Sequence, residues 1–180
     1  MATLLYSVTM SLDGFIAGPG GDMSWLTEYV GGPNTVAERL VPRIRALLIG
    51  ARTHRGDDPN RGTDKEGPFG GGWTGPMFVL THRPPRTPEP GITFVTDLAT
   101  AVDQARAAAG DGYVNILGAS TAKQCLDAGV LDEILVFIAP VLLGDGVRLF
   151  DQPGGTTIRL ERIAESTAPD PTSIWLRVLR

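Results

Sequence analysis

At 180 residues the chain is long enough to bury a core without metal or disulfide staples, and one domain spanning 1–180 is expected. Its 42% hydrophobic and 20% charged residues fit a globular class, and no run approaches the ~20 apolar residues needed to span a bilayer. A net charge of −4 and a pI near 5.1 argue against a non-specific nucleic-acid surface, so neither nucleic acid nor a membrane is an expected partner. Metal is not expected either: there are two histidines, no CxxC and no HExxH. The single cysteine, Cys125, cannot form an internal disulfide, which suits a reducing cytoplasm, and its place on the inner side of a helix reads as packing.

In chain order, Leu4 to Met10 alternates, with Leu4, Tyr6, Val8 and Met10 on one face, so it reads as a central strand and not as a leader peptide. Residues Ser11 to Trp25 form a long glycine-rich loop whose Phe15, Ile16 and Trp25 would be costly if exposed, the mark of a lid or binding loop. Val36, Leu40 and Ile44 recur at four-residue spacing and predict a helix over Asn34 to Ala46, interrupted at Pro42. A buried strand over Ala46 to Ile49 then runs into Gly50, Arg52 and Thr53.

Gly56 to Gly75 is rich in glycine and charge without a period and reads as an irregular insertion anchored by Trp73. A strand over Pro76 to Leu80 ends in Thr81, His82 and Arg83, and Pro84 stops it. Ile92 to Val95 is a further strand. Asp97 then caps a helix that puts Leu98, Val102, Ala105 and Ala109 on one stripe. The strand Tyr113 to Leu117 turns at Gly118 into a helix with Ser120 or Thr121 as its cap, Ala122, Cys125 and Leu126 on one face, and Gly129 at its stop. Glu133 to Leu143 reads as an apolar strand, followed by a turn at Gly144 to Gly146. Thr157 to Ile163 and Ser173 to Leu179 are the last strands, antiparallel because no helix separates them.

This order predicts an α/β fold: a mostly parallel central sheet, helices on both faces, and antiparallel C-terminal strands. Such sheets bind ligands at the carboxyl ends of their strands. Three strand ends here carry anion-friendly groups: Arg52 with Thr53, Thr81 with His82 and Arg83, and Gly118 to Thr121. Three such ends in one small sheet point to a ligand with several phosphates, and a dinucleotide leads the candidates.

The segments Ser11 to Ala17, Leu48 to Thr53, Val79 to Arg83 and Asn115 to Ser120 resemble the dihydrofolate reductase superfamily, as do Ala128 to Val136 and Pro140 to Gly146. The likeness is to the branch that includes the reductase domain of the bifunctional riboflavin-biosynthesis enzyme. It implies a three-layer α/β fold that binds NADPH in an extended pose. On that resemblance Gly50, Arg52 and Thr53 hold phosphates, and Thr81, His82 and Arg83 take the adenosine 2′-phosphate. Gly118, Ala119, Ser120 and Thr121 receive the pyrophosphate, and Val8, Thr9, Ile16 and Ala17 cradle the nicotinamide. It also implies a homodimer paired through late strands, with the apolar stretch Glu133 to Leu143 permitting it.

The chain departs from the family pattern at Ala119, where the family usually has a second glycine although the branch tolerates small residues, and it has no alignable acid on the first helix. Asp13, Trp25 and Glu28 are therefore the only catalytic candidates, and the proton donor is unassigned. The expected activity is an NADPH-dependent reduction of a small-molecule substrate of pteridine, pyrimidine or flavin-precursor type. The alternative is a non-catalytic nucleotide-binding or dimerising module. Deaminase chemistry is excluded, since it needs His/Cys zinc ligands that this chain lacks.

Overall fold

A computed structural model describes the chain except for residues 57, 59, 156, 167 and 168. In chain order the elements are β1 (Thr3–Ser11), β2 (Phe15–Ala17), α1 (Thr35–Leu40), β3 (Ile44–Gly50), α2 (Ala51–His54), β4 (Met77–Leu80), β5 (Ile92–Val95), α3 (Leu98–Ala109), β6 (Tyr113–Leu117), α4 (Ala119–Asp127), β7 (Glu133–Ala139), β8 (Val147–Arg148), β9 (Leu160–Glu165) and β10 (Ser173–Val178). Eight strands form one sheet in the order β5-β4-β3-β6-β1-β7-β10-β9, and β2 pairs with β8 in a separate two-stranded ribbon. Every pairing from β5 to β7 is parallel, and β10 is antiparallel to both β7 and β9. The expected α/β architecture with antiparallel late strands is the one observed.

β1 is central and covered on both faces, as its sequence requires. Leu4 and Tyr6 enter one core layer with Ala105 of α3 and Ala122 and Cys125 of α4. Leu5 enters the other layer with Leu40 of α1, Leu47 and Leu135. A parallel sheet with helices on both faces gives its strands apolar residues at odd and even positions alike. α3 starts as expected: the Asp97 carboxylate accepts the Thr100 N–H at 3.0 Å, and Ala101, Val102, Ala105 and Ala109 are buried. Burial pushes the Cys125 thiol up to about 12, which makes it a packing residue and leaves it no thiolate at neutral pH.

Five expectations are corrected in detail. The first helix ends at Leu40, not Ala46. Val41–Arg43 tightens into a 3-10 turn because Pro42 has no N–H to donate, and β3 begins at Ile44. The Ser11–Trp25 stretch is not a structureless loop: Phe15–Ala17 is a short buried strand against Val147–Arg148, and Ser24–Glu28 is a 3-10 turn. Neither Ser120 nor Thr121 caps α4. The helix begins directly after Gly118, and no side chain caps it. β7 ends at Ala139 rather than Leu143, and it lies between β1 and β10, so its backbone edges are already used. The penultimate strand runs from Leu160 to Glu165, later than Thr157 to Ile163, and every residue of it is exposed.

The 56–75 insertion has no helix or strand among its described residues (57 and 59 lie outside them), and Trp73 packs against the second core layer.

Candidate functional site

The sheet order explains why residues far apart in sequence meet. β4, β3, β6 and β1 are consecutive neighbours and all parallel, so their carboxyl ends share one edge. A cavity of about 1110 Å³ lies along that edge. Its walls carry Val8 of β1 with Ile16 and Ala17 of β2, then Gly50, Arg52 and Thr53 after β3. Thr81, His82 and Arg83 follow β4, and Gly118, Ala119, Ser120 and Thr121 follow β6. Arg52, Arg83 and Gly118 therefore face one groove. Of the expected cofactor residues only Thr9 is off its walls.

The turns are packed to bring backbone to the groove. Gly118 sits at φ 105°, ψ 130°, where a side chain is strained, and a Cβ there would overlap Thr53 Oγ1. A Cβ on Gly50 would come within 2.5 Å of Thr121 Oγ1. Each glycine is thus matched to a threonine hydroxyl of the opposite turn, and the start of α4 lies against the start of α2 with no side chain between. Uncapped amides at the start of α4, with the helix dipole behind them, suit an anion. Thr81 is buried and its Oγ1 accepts the Arg83 N–H at 3.1 Å, which fixes the turn that presents His82 and Arg83 to solvent.

The groove's charge runs against that of the whole chain. The chain carries −4, yet the groove walls hold Arg52, Arg55 and Arg83 against one carboxylate, Asp145. A cationic cleft of this kind concentrates an anionic ligand.

The three catalytic candidates are not on the groove walls. Asp13 is a clasp. It accepts the Ser11 hydroxyl at 2.5 Å, the Leu143 N–H at 3.2 Å and the Gly144 N–H at 2.7 Å, while Ser11 Oγ accepts the Phe15 N–H at 3.0 Å. Those bonds hold its carboxyl below the usual range, the Ser11 hydroxyl foremost, and they fix the strand that carries Ile16 and Ala17. Trp25 and Glu28 lie on the Ser24–Glu28 turn, where Trp25 leans on Tyr29 at 6.1 Å between ring centroids and Glu28 is exposed.

Residues that the sequence did not single out also reach the groove, among them Tyr6, Ser7, Met23, Arg55, Gln124 and Asp145. Alternation on β1 places Tyr6 on the same face as Val8, and this signal was available. Ser7 on β1 and Gln124 on α4 reach it from regular elements, while Met23, Arg55 and Asp145 lie on turns and loops whose direction no periodicity fixes. The Tyr6 hydroxyl is buried without a hydrogen-bond partner among the described residues, its ring meets Phe150 edge-on at 5.7 Å, and burial raises its pKa.

The sheet order, the glycine turns and the groove at the strand ends define a dihydrofolate reductase-like fold of the riboflavin-reductase branch. The family model described as the RibD C-terminal domain matches residues 2–170, and the chain belongs to that family. A curated relative, the uncharacterized protein YwjB of Bacillus subtilis (strain 168), is 24% identical over 161 residues and covers 88% of each chain. Among solved structures, a candidate riboflavin biosynthesis protein from Shewanella sp. PV-4 superposes with a TM-score of 0.75 at 25% identity over 100% of both chains. The Thermotoga maritima diaminohydroxyphosphoribosylaminopyrimidine deaminase/5-amino-6-(5-phosphoribosylamino)uracil reductase shares the fold at a TM-score of 0.68 and 17% identity, covering 99% of this chain and 57% of that one. The pyrimidine reductase-like protein of Corynebacterium diphtheriae does so at 0.64 and 16%, over 99% and 92%.

Proposed function

We propose that this protein is an NADPH-dependent reductase acting on a small heterocycle of pteridine, pyrimidine or flavin-precursor type, with residues 1–180 working as one unit. The observation that carries the reading is the convergence of Arg52, Arg83 and the Gly118 turn on one cationic groove long enough for a dinucleotide. The residues fit that cofactor on their own chemistry. The close-packed Gly50 and Gly118 turns leave backbone exposed to a pyrophosphate. Arg83 offers a guanidinium, and the Thr81 turn holds it at the rim for a 2′-phosphate. Val8, Ile16 and Ala17 form an apolar wall for the nicotinamide.

When bound, NADPH supplies a hydride from C4 of its nicotinamide. The chain's own part is alignment and exclusion of water. Ile16 and Ala17 are buried, and the Asp13 clasp holds the ribbon that presents them, so these residues would hold the nicotinamide in place against an apolar wall. Asp145 is the groove's carboxylate and the acid nearest to hand for a proton; its Oδ1 accepts the Gly146 N–H at 2.7 Å. We further propose a cytoplasmic homodimer that pairs through β9, the exposed edge, where Leu160 and Ile163 are 43% and 40% exposed.

The reading is tested by titrating the protein with NADPH and NADH and following nicotinamide fluorescence. Binding of NADPH below about 1 mM is expected, and no binding of either nucleotide removes the proposal. Arg83→Ala is expected to weaken NADPH by about tenfold or more and to leave NADH nearly unchanged. Sedimentation of the purified protein as a monomer at micromolar concentration removes the dimer.

A second reading, a nucleotide-binding module without catalysis, is favoured by one observation: Asp13, Trp25 and Glu28 are all off the groove walls. Sustained NADPH oxidation with any pteridine, pyrimidine or flavin-precursor substrate removes it.

A further inference from the structure

Beside the groove, at the ends of β4 and β5, lies a smaller recess of about 160 Å³. It shares Ala51, Arg55, Thr81 and Arg83 with the groove, so the two are continuous. Phe94, Val79 and Pro85 give it apolar sides. Its volume is several times that of a water molecule, which makes it room for a flat ring.

Its polar content is unusual for a site beside arginines. Glu89 is the one acid on its walls, and His54 Nε2 lies 3.0 Å from Glu89 Oε2. The His54 ring in turn packs edge-on against Phe94 at 5.6 Å and 73°. The imidazole is thereby fixed between an aromatic wall and a carboxylate. Glu89 Oε1 has no hydrogen-bond donor among the described residues. The recess therefore offers a carboxylate acceptor at one side, an apolar lining, and the guanidinium groups of Arg55 and Arg83 on its walls.

A phosphate goes to the guanidinium groups of Arg55 and Arg83 that the recess shares with the groove, and the apolar side beside Glu89 is left for a neutral ring. We infer that Glu89, oriented by His54, is a specificity-determining residue that selects an aminopurine for the recess by accepting an N–H of the ring's exocyclic amine. This rests on the reading above, in which Arg83 takes the 2′-phosphate and the adenosine end of the dinucleotide lies beside it. An oxopurine instead sets its C6 carbonyl lone pairs against the carboxylate and must shift in the recess to offer its N1–H, away from the position the exocyclic amine takes. His54 is a positioning residue: it holds one carboxylate oxygen and leaves the other to accept from the ring.

The test compares NADPH with nicotinamide hypoxanthine dinucleotide phosphate, which carries oxygen in place of the adenine amine. Both are titrated against the full chain by nicotinamide fluorescence. The wild type is expected to prefer NADPH by about tenfold to a hundredfold, the range of one hydrogen bond to a charged group. Glu89→Gln is expected to bring the two ligands within about threefold, because the amide can turn to donate to the carbonyl. His54→Phe keeps an aromatic ring against Phe94 and is expected to reduce the preference in the wild-type background and to change nothing further in the Glu89→Gln background. Glu89 is 43% exposed, so its variant should fold, and an unchanged thermal melt checks this. Equal affinity of the wild type for both ligands, or a preference that survives Glu89→Gln, overturns the inference and leaves the cofactor reading standing. Failure of the wild type to bind either ligand overturns both.

Discussion

The Asp13 carboxylate reaches across 131 residues of chain to accept the Gly144 N–H at 2.7 Å, and with the Leu143 N–H on Asp13 and the Leu12 N–H on the Val141 carbonyl it ties the segment after β1 to the segment after β7. β2 and β8, which follow these two segments, then pair as a ribbon at the mouth of the groove. A residue that the sequence offers as a catalytic candidate is the clasp of the ribbon beside the groove.

The clasp makes stability depend on acid. Hydrogen bonds from Ser11, Gly144 and Leu143 favour the ionised form and depress the native pKa of Asp13 below its unfolded value near 3.9. A depressed carboxylate contributes in full above the unfolded value and loses its contribution as pH falls through the native one. Melting temperature measured from pH 5 down to pH 2.5 is therefore expected to fall more steeply in the wild type than in Asp13→Asn. Parallel curves for the two proteins would show that the clasp carries no charge-dependent stability.

Gly118 tests the packing of the two turns that begin α2 and α4. Gly118→Ala places a methyl group at φ 105° and against Thr53 Oγ1. The expected cost is about 1–3 kcal/mol in urea denaturation. Adding Thr53→Ala removes the overlap and leaves the backbone strain, so the double variant should recover part of the loss and not all of it. Wild-type stability in the single variant would mean that the turn relaxes and that glycine is not required there.

Much of this arrangement was legible because it follows from rules of short range. The Asp97 cap, the apolar stripe of α3 and the strand from Ile92 to Val95 needed only spacing and capping chemistry. Convergence of Arg52, Arg83 and Gly118 followed from parallel strands ending on a common edge. What the sequence concealed was long-range. Phe15 to Ala17 is a strand only because Val147 and Arg148 lie beside it, and β7 is interior only because β10 returns to cover it. Asp13 finds its partners in Leu143 and Gly144, which no local pattern links to it. The same holds for His54 and Glu89, 35 residues apart and joined through the turns at the sheet's far edge.

Tyr6 gives a prediction of opposite sign to most core substitutions. Its ring is fully buried, and its hydroxyl has no partner among the described residues. An unpaired buried hydroxyl costs about 1–3 kcal/mol, so Tyr6→Phe is expected to be neutral or to stabilise the protein in chemical denaturation. A loss of more than about 1 kcal/mol would reveal a partner for the hydroxyl in solution, such as a bound water.

Asp132 tests the end of the sheet away from the groove. Its Oδ2 accepts the Leu4 N–H at 2.9 Å and the Arg106 guanidinium at 2.8 Å, and its Oδ1 accepts Arg180 at 2.7 Å. One carboxylate so joins the start of β1, the last turn of α3 and the C-terminus. The partners differ in worth. Arg106 and the Leu4 amide are largely shielded, and removing their acceptor leaves the Leu4 amide unpaired and Arg106 with only the Val130 carbonyl, at 3.0 Å. Arg180 is 61% exposed and its pairing is screened by water. Asp132→Ala is therefore expected to cost about 2–3 kcal/mol, and Arg180→Ala well under about 1 kcal/mol. Both variants should bind NADPH as the wild type does, because Leu4 and Asp132 lie at the opposite end of their strands from Val8 and the groove. A large loss on Arg180→Ala, or a loss of NADPH affinity on Asp132→Ala in protein that still melts cooperatively, would contradict this separation of the framework from the site.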